Sequence, residues 1–342
     1  MRVVAKKLGQ WYRKNARDLP WRRTRDPYAI WISEIMLQQT QVKTVIPYFE
    51  RWMRAFPTVE ALARAPLQAV LKQWEGLGYY RRVRNAQAAA VQIVERHGGQ
   101  FPTTFAEVLA LPGVGRYTAG AICSVAFHQP TPILDGNVIR VLSRLFGIEG
   151  NPRDKSVNKK LWSLAEALVS VPGVEPSQLN QALMELGALI CLPRLAKCAE
   201  CPVKGRCLAL AANRVEELPA LRARAPARQR RFIAFLVRRR GKFLVRPRPP
   251  EGVNAGLWEF PNLEVPLKTK DLAALARPFG MAATDPILQV RHAITNSRIL
   301  LEVFQATLPM PVQPPCVWKT AAEAKRLPFT SAHRKVLEVV AN

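Results

Sequence analysis

The sequence predicts a multi-domain chain: an all-α part organised around a helix-hairpin-helix, followed by a small C-terminal α/β module. Three observations predict it. Residues 111–140 read LPGVGRYTAGAICSVAFHQPTPILDGNVIR, two helical stretches joined by a glycine turn. Helical periodicity broken by prolines and glycines runs through roughly the first two hundred residues. From Leu218 the texture changes, and short β-rich segments follow at FIAFLV, KFLVRP, ILQVRH and ILLEVFQA.

In the hairpin, the apolar run Val108, Leu109 and Leu111 ends at Pro112, and Gly113-Val114-Gly115 makes a tight turn before Arg116 resumes a helix. The glycines allow φ above zero. They also leave the N–H groups at the start of the second helix bare, so that a phosphate oxygen can approach them, which makes Gly113 and Gly115 candidate nucleic-acid contacts. Asp135-Gly136-Asn137 then precedes Val138, Val141, Leu142 and Leu145, which share one helical face, so Asp135 stands at an N-cap and is expected to stay ionised. Each half alone reads better as plain structure, a helix connector and a cap. Together, and with the charge below, they point to function.

The chain has 51 basic against 25 acidic residues, a net charge of +26, which points to a polyanion such as DNA, RNA or an anionic membrane. Membrane is the weakest of these. No apolar run approaches the roughly 18 residues needed to span a bilayer, and MRVVAKKLGQWYRKN lacks the continuous apolar stretch of a signal peptide. A cytoplasmic protein is expected.

Along the chain, residues 1–26 read as a short helix and a Pro-containing extended arm. A helix then starts at Asp26-Pro27 and runs through YAIWISEIMLQQ, with Ile32, Ile35 and Met36 inward and Glu34, Gln38 and Gln41 on the other side. Glu34 belongs either to a solvated face or, crowded by Trp31, Ile32 and Ile35, to a site where its pKa is raised. Helices follow at VIPYFERWMRAF, where Pro47 fits only a first turn or a kink, then from VEALARA to LKQW, and at RRVRNAQAAAVQIVERHG. The turn from Gly76 to Tyr80 carries two tyrosines ahead of Arg81, Arg82 and Arg84, suited to stacking on bases and neutralising phosphates. Two more helices fill residues 155–191, the second ending at the first cysteine of a cluster.

That cluster is Cys191, Cys198, Cys201 and Cys207, spaced C-x6-C-x2-C-x5-C, while Cys123 and Cys316 stand alone. In a reducing compartment the quartet means metal. Zinc fits any four-cysteine site, and compact all-thiolate spacing fits an iron–sulfur cube as well. Beyond it arginines run through RARAPARQRRF, Pro219, Pro226 and the alanines between them mark a linker, and the C-terminal module adds helices at DLAALAR and at SAHRKVLEVVA, capped by Thr330 or Ser331.

With these features in hand, the chain resembles the MutY-type adenine DNA glycosylases, in the endonuclease III branch of the helix-hairpin-helix DNA glycosylase superfamily. The marks are SEIMLQQTQV (33–42), GLGYY (76–80), LPGVGRYTAGAI (111–122), LDGNVIRV (134–141), NQALMELGALIC (180–191) and the cysteine quartet, in order along nearly the whole chain. The resemblance implies a six-helix barrel domain over residues 22–132 and an iron–sulfur cluster domain built from residues 1–21 and 133–212. It also implies a linker over 213–229 and a Nudix-like mismatch-recognition domain over 230–342. A four-iron four-sulfur (4Fe-4S) cluster on the quartet, rather than zinc, follows from the same likeness.

By that resemblance Glu34 is the general acid, and Tyr117, Asp135 and Asn137 surround the sugar and the leaving base. Cleaving an N-glycosidic bond to adenine builds positive charge on the sugar and negative charge on the base, so one group must protonate N7 and another stabilise the cation. The base must first leave the stack. Gln39 and Tyr79 would fill the gap or wedge the helix, and Trp21, Arg22 and Gln181 would line the adenine pocket. Tyr117 stands where a lysine would form a Schiff base, which a phenol cannot, so a monofunctional enzyme is expected.

The C-terminal resemblance is carried by GLWEFP (256–261). The glutamate-dense helix of true Nudix hydrolases is missing, so this module is expected to read 8-oxoguanine rather than hydrolyse pyrophosphates. Where the family has an aromatic-Ser-His triplet, this chain has Ile294-Thr295-Asn296 after His292, which relaxes the expected selectivity or shifts it to Thr295, His292, Asn296 or Ser297. The expected partner is double-stranded DNA with an adenine mispair, bound by a monomer. The rival expectations are a thymine or uracil mismatch glycosylase of the same superfamily, and a DNA-binding iron–sulfur protein without chemistry.

Overall fold

The computed structural model describes residues 1–222, 226–269, 285–294, 296–307 and 315–341. The chain divides into two compact units, Met1–Arg64 with Asn85–Ala223, and Ala65–Arg84 with Arg224–Asn342. Among the described residues no helix is long and apolar enough to cross a membrane.

The first unit is helical: α1 (Arg2–Asn15), α2 (Pro27–Leu37), α3 (Val42–Ala55), α4 (Val59–Arg64), most of α6 (Arg81–His97), α7 (Phe105–Leu109), α8 (Arg116–Phe127), α9 (Gly136–Leu145), α10 (Lys155–Val169), α11 (Pro176–Leu189) and the short α12 (Leu208–Ala211). α5 (Leu67–Trp74) belongs to the second unit. The N-terminal helix joins the later half of the helical sequence, because Val4 and Leu8 share a core with Ile133, Val138 and Leu142, Leu161, and Leu179 and Leu186. α2 starts as expected, with Asp26 accepting hydrogen bonds from the N–H groups of Tyr28 and Ala29 and with Pro27 at the first position.

Two expectations fail here. α2 has no solvated face, since every residue from Tyr28 to Met36 is buried, and it stops at Leu37, so Gln41 caps α3 instead of sharing a face with Glu34. The cause is tertiary: Trp31 packs edge-on against Phe101 at 5.6 Å, while Tyr28 donates to the Phe56 carbonyl at 2.8 Å and accepts from Trp52 Nε1 at 3.1 Å. Pro47 lies inside α3, beyond its first turn.

In the second unit, β1 (Arg228–Leu236) pairs in parallel with β7 (Ser297–Gln305) and antiparallel with β5 (Asn262–Val265), and β6 (Leu288–Ile294) forms an antiparallel hairpin with β7. The sheet order is β5-β1-β7-β6. A second sheet centres on β3 (Lys242–Pro247), which pairs with β2 (Arg238–Arg239), β4 (Trp258–Glu259) and β8 (Val317–Thr320). α13 (Ala321–Arg326) and α14 (Ser331–Val340) complete the unit, around a core that includes Phe243, Phe260 and Phe329. Thr330 takes the N-cap position of α14. Buried Glu259 is neutralised by Arg246 and Arg248.

α5 is held inside this second unit by a polar seam. Glu75 Oε1 accepts from the Phe329 N–H and from Arg334 Nε, both at 2.8 Å, and Gln68 bridges the Gly256 carbonyl (3.1 Å) and Trp258 Nε1 (3.0 Å). The helix expected at DLAALAR, and Thr295, lie outside the described residues.

The hairpin in the first unit rests on a close backbone approach as well as on its turn. A Cβ built on Gly120 of α8 would lie 2.2 Å from the Pro132 carbonyl oxygen, so only glycine lets this helix pack there. Gly120→Ala is expected to destabilise the fold by about 1–3 kcal/mol, read as a lower denaturant midpoint; an unchanged midpoint would mean that α8 is free to shift.

Candidate active site

Four residues expected at the reacting centre are tied together. Glu34, only 8% exposed, sits on the buried α2. Tyr117, the second residue of α8, donates its hydroxyl to Glu34 Oε2 at 2.7 Å, and the Tyr117 hydroxyl oxygen also lies 3.4 Å from Met184 Sδ on α11. Asp135 caps α9, with Oδ1 accepting from the Val138 N–H at 2.7 Å and Oδ2 from Asn137 Nδ2 at 3.2 Å. Asn137 is itself oriented by Arg140, whose guanidinium donates to Asn137 Oδ1 (2.9 Å), to the Gly187 carbonyl (2.7 Å) and to the Cys191 carbonyl (2.7 Å). A chain of hydrogen bonds thus runs from the Asp135 carboxylate to the backbone of the first cysteine. α9 and α11 meet closely there, since a Cβ on Gly187 would fall 2.7 Å from Asn137 Cβ.

The two carboxyl groups sit in different environments. Burial drives the Glu34 pKa up to about 7; the Tyr117 hydrogen bond and the Arg22 charge oppose that rise, and the Asp135 charge adds to it. Burial raises Asp135 as well, against hydrogen bonds from Val138 and Asn137 and the charge of Arg140. The cap therefore holds Asp135 less firmly ionised than the sequence alone suggests. Tyr117 is pushed well above the usual phenol range, first by burial and then by both carboxylates, so it stays a neutral donor. The three groups feel one another's charge and form one electrostatic site.

Beside them lies a polar wall that the sequence reading only partly contains. Arg22 donates to Glu185 Oε2 at 2.8 Å and to the Arg17 carbonyl at 3.1 Å, and its guanidinium lies 5.4 Å from the centre of the Tyr12 ring. Gln181 accepts from the Tyr12 hydroxyl at 2.8 Å and donates to Ser177 Oγ at 3.0 Å. Trp21 is turned into the core, only 7% exposed and edge-on to Phe49 at 5.5 Å. Sequence reasoning missed Tyr12, Arg17, Met184, Glu185 and Arg140. One signal was available: Glu185 and Gln181 are four apart on α11 and so share a face.

Gln39 and Tyr79 share a conformation that side chains rarely adopt. Gln39, in the turn between α2 and α3, has φ 57° and is exposed; Tyr79, in the second unit, has φ 48° and is 44% exposed. A left-handed non-glycine residue stores strain that tends to mark function. In the hairpin, Gly113 has φ 76°, as expected, whereas Gly115 is an extended N-cap at φ −97° and needs no positive φ. Packing within the chain does not require glycine at 115 either, since a Cβ there would meet nothing within 4 Å, and both glycines are exposed.

All four clustered cysteines are free thiols lining one cavity with Arg144, Ile190, Lys204, Leu210 and Val215. Burial raises the thiols of Cys198 and Cys207, and that of Cys201 to about 11. Arg144, 2% exposed, donates to the carbonyls of Leu192 (2.6 Å), Pro193 (3.2 Å) and Leu218 (2.9 Å) and lies 3.5 Å from Cys191 Sγ. Among the described residues, no three His, Cys, Asp or Glu side chains converge on a single-ion site.

In the C-terminal unit Asn296 is exposed in the turn between β6 and β7, its carbonyl accepting from the Arg228 N–H at 2.8 Å. His292 is half-buried on β6, and its Nδ1 has no hydrogen-bond partner among the described residues.

Comparison with known proteins finds matches to both units. Residues 32–167 match the HhH-GPD superfamily base excision DNA repair protein model, and residues 233–339 match the NUDIX domain model. A thermostable thymine-DNA glycosylase superposes with a TM-score of 0.56 at 32% identity, over 62% of this chain and 96% of that one. An endonuclease III captured in a covalent DNA complex superposes with a TM-score of 0.53 at 24% identity, over 62% of this chain and 96% of its own, which speaks for the fold alone. The adenine DNA glycosylase of Buchnera aphidicola subsp. Acyrthosiphon pisum is 38% identical over 74% of this chain and 72% of its own length. The human adenine DNA glycosylase is 36% identical over 97% of this chain and 73% of its own length, and with that likeness across both units the chain belongs to the adenine DNA glycosylase family.

Proposed function

We propose that this protein is a monofunctional base-excision repair enzyme that removes adenine mispaired with 8-oxoguanine, or with guanine, from duplex DNA. The observation that carries the reading is the buried Glu34 carboxyl, held by the Tyr117 hydroxyl and sharing one electrostatic site with Asp135. A carboxyl whose pKa is near 7 carries a proton at neutral pH and can give it up. With Oε2 occupied by Tyr117, Oε1 carries that proton to N7 of an extruded adenine. As the bond breaks, Asp135 at the start of α9 offsets the positive charge on the sugar or adds to C1′ transiently. Glu34, now a carboxylate, draws a proton from the water that completes hydrolysis. No lysine stands at Tyr117, so the product is an abasic site without strand cleavage.

The pocket residues follow the same reading. Gln181 and Arg22 present an amide and a guanidinium to the purine, and Trp21 backs the wall from within the core. Gln39 and Tyr79 are the strained, exposed groups suited to filling the gap and wedging the stack. The bare N–H groups around Gly113 and Gly115 suit a phosphate, and the +26 charge suits the backbone as a whole. In the C-terminal unit His292 on β6, Asn296 in the β6–β7 turn and Ser297 at the start of β7, together with Thr295, read the base opposite.

Cys191, Cys198, Cys201 and Cys207 would hold a four-iron four-sulfur cluster. Four free thiols around one cavity, bordered by the cations Arg144 and Lys204, suit an anionic all-thiolate cluster, which would supply a structural cross-link. The domain reading is a barrel over 22–132, a cluster domain from 1–21 and 133–212, a linker over 213–229 and a mismatch-reading domain over 230–342, with residues 65–84 grouping with the C-terminal unit and β1 starting already at Arg228. One chain supplies every group at the reacting centre, which supports action as a monomer, and a DNA substrate supports a cytoplasmic, nucleoid-associated enzyme.

The likeness to a thymine-DNA glycosylase favours one second reading, excision of mispaired thymine. Release of free base from duplexes separates the two. Adenine opposite 8-oxoguanine or guanine is expected to be excised faster than adenine opposite cytosine, and thymine opposite guanine left intact; thymine release would overturn the assignment. Base release is expected to be full below about pH 7 and to fall as pH rises past it, because a raised pKa keeps Glu34 protonated on the acid side. Glu34→Gln should lower the rate by roughly 10²–10⁴-fold while keeping DNA affinity; a variant with undiminished turnover would exclude Glu34 as the acid. Asp135→Asn should lose roughly 10²–10³-fold in single-turnover rate at nearly constant duplex affinity, and a loss confined to affinity would remove Asp135 from the chemistry.

A further inference from the structure

Glu185 is a buried ionised group that the mechanism above does not use. It lies on α11 with no exposed surface, yet it accepts four hydrogen bonds from arginines: Arg17 N (3.0 Å), Arg17 Nε (2.8 Å) and a second Arg17 guanidinium nitrogen (2.8 Å), and Arg22 (2.8 Å). Both oxygens are engaged. Burial alone would raise its pKa, but the hydrogen bonds from Arg17 and Arg22 outweigh it and bring the group down to about 2. It is therefore charged wherever the protein is folded.

The arginines it holds are placed differently. Arg17 is about one-third exposed, at 35% of its side chain, and Arg22 only 14%. Arg22 is also the sole cation whose charge bears on Glu34 among the principal influences on that carboxyl. The groups facing Glu34 are Tyr117 from α8, Asp135 from the segment before α9, and Arg22 from the 3₁₀ turn at Pro20–Arg22. Two of the three are fixed by bonds described above. Arg22 is fixed by Glu185.

We propose that Glu185 is a positioning residue for base excision: by pairing with Arg22 it fixes the guanidinium at the base pocket and offsets part of the charge that Arg22 exerts on Glu34. The inference rests on the reading of Glu34 as the acid. Its physical basis is ion pairing and burial. An unpaired guanidinium in a closed site acts at full strength through low dielectric, whereas one locked to a carboxylate acts as a dipole whose field falls off quickly. Two adjacent guanidiniums, Arg17 and Arg22, also repel unless an anion lies between them. Glu185 thereby permits a positively charged wall beside an acid that has to keep its proton.

The test is the pH profile of single-turnover adenine release from a duplex carrying 8-oxoguanine opposite adenine. Glu185→Gln keeps the size and removes the charge, so the uncompensated Arg22 should lower the Glu34 pKa and move the alkaline limb down by roughly one pH unit. Adding Arg22→Gln to that variant should move the limb back up. A fall in stability alone would lower the amplitude without moving the limb, so a profile parallel to that of the unaltered protein overturns the inference. Should Glu185→Gln fail to fold, Arg22→Gln alone decides, since loss of the cation should shift the limb upward and an unmoved limb overturns the proposal. Glu34→Gln separates the two levels: persistent base release there defeats the acid assignment, while loss of release together with an unmoved Glu185→Gln limb defeats this inference alone.

Discussion

The rest of the structure depends on the desolvation of one carboxyl group. In water Glu34 would be ionised at neutral pH; inside α2, closed in on all sides, it keeps its proton up to about pH 7. That requires a helix without a solvent face, which Trp31, Tyr28 and Phe101 build. It also requires a donor that does not itself ionise, and Tyr117, its own pKa raised by burial, supplies it. The hairpin turn is what brings Tyr117 there, as the second residue of α8. The turn thus exposes its two glycines while the helix that follows it carries the tyrosine to the acid.

The second carboxyl shows how the same chain makes an opposite environment. Asp135 is partly buried and its pKa is also raised, but it lies at a helix start, with the Val138 N–H and the Asn137 amide on its oxygens and the Arg140 charge nearby. These favour the anion, where Glu34 has one phenol and the charge of a paired arginine. Acid and counter-charge are separated by environment alone. Arg140 extends the arrangement by joining Asn137 to the carbonyls of Gly187 and Cys191, so the geometry around Asp135 is continuous with the cysteine loop. Within that loop Arg144 does the corresponding work, tying three carbonyls together beside the thiols.

Local chemistry was legible in the sequence. The Asp26 cap with Pro27, the Pro-Gly-Val-Gly turn, the Asp135 cap and the strands at FIAFLV, KFLVRP, ILQVRH and ILLEVFQA all depend on residues within a few positions of one another, and each appears where the pattern puts it. The resemblance to adenine DNA glycosylases rested on such short motifs in order, and it agrees with the family the chain belongs to. Burial around α2 was not legible. Glu34 could be read as a solvated side chain because its own helix offers no sign of what packs against its remaining face.

What the sequence determined by itself, then, is where helices start, where the chain turns and which residue types bear protons, since hydrogen bonds between near neighbours govern those. Only the tertiary structure decided that Glu34 is desolvated, that Trp21 turns into the core against Phe49, that Gly115 needs no positive φ, and that Glu185 locks Arg17 across 168 positions of chain. Solvent exclusion and ion pairing are set by groups that meet only when distant segments pack, and no local pattern records which segments those are.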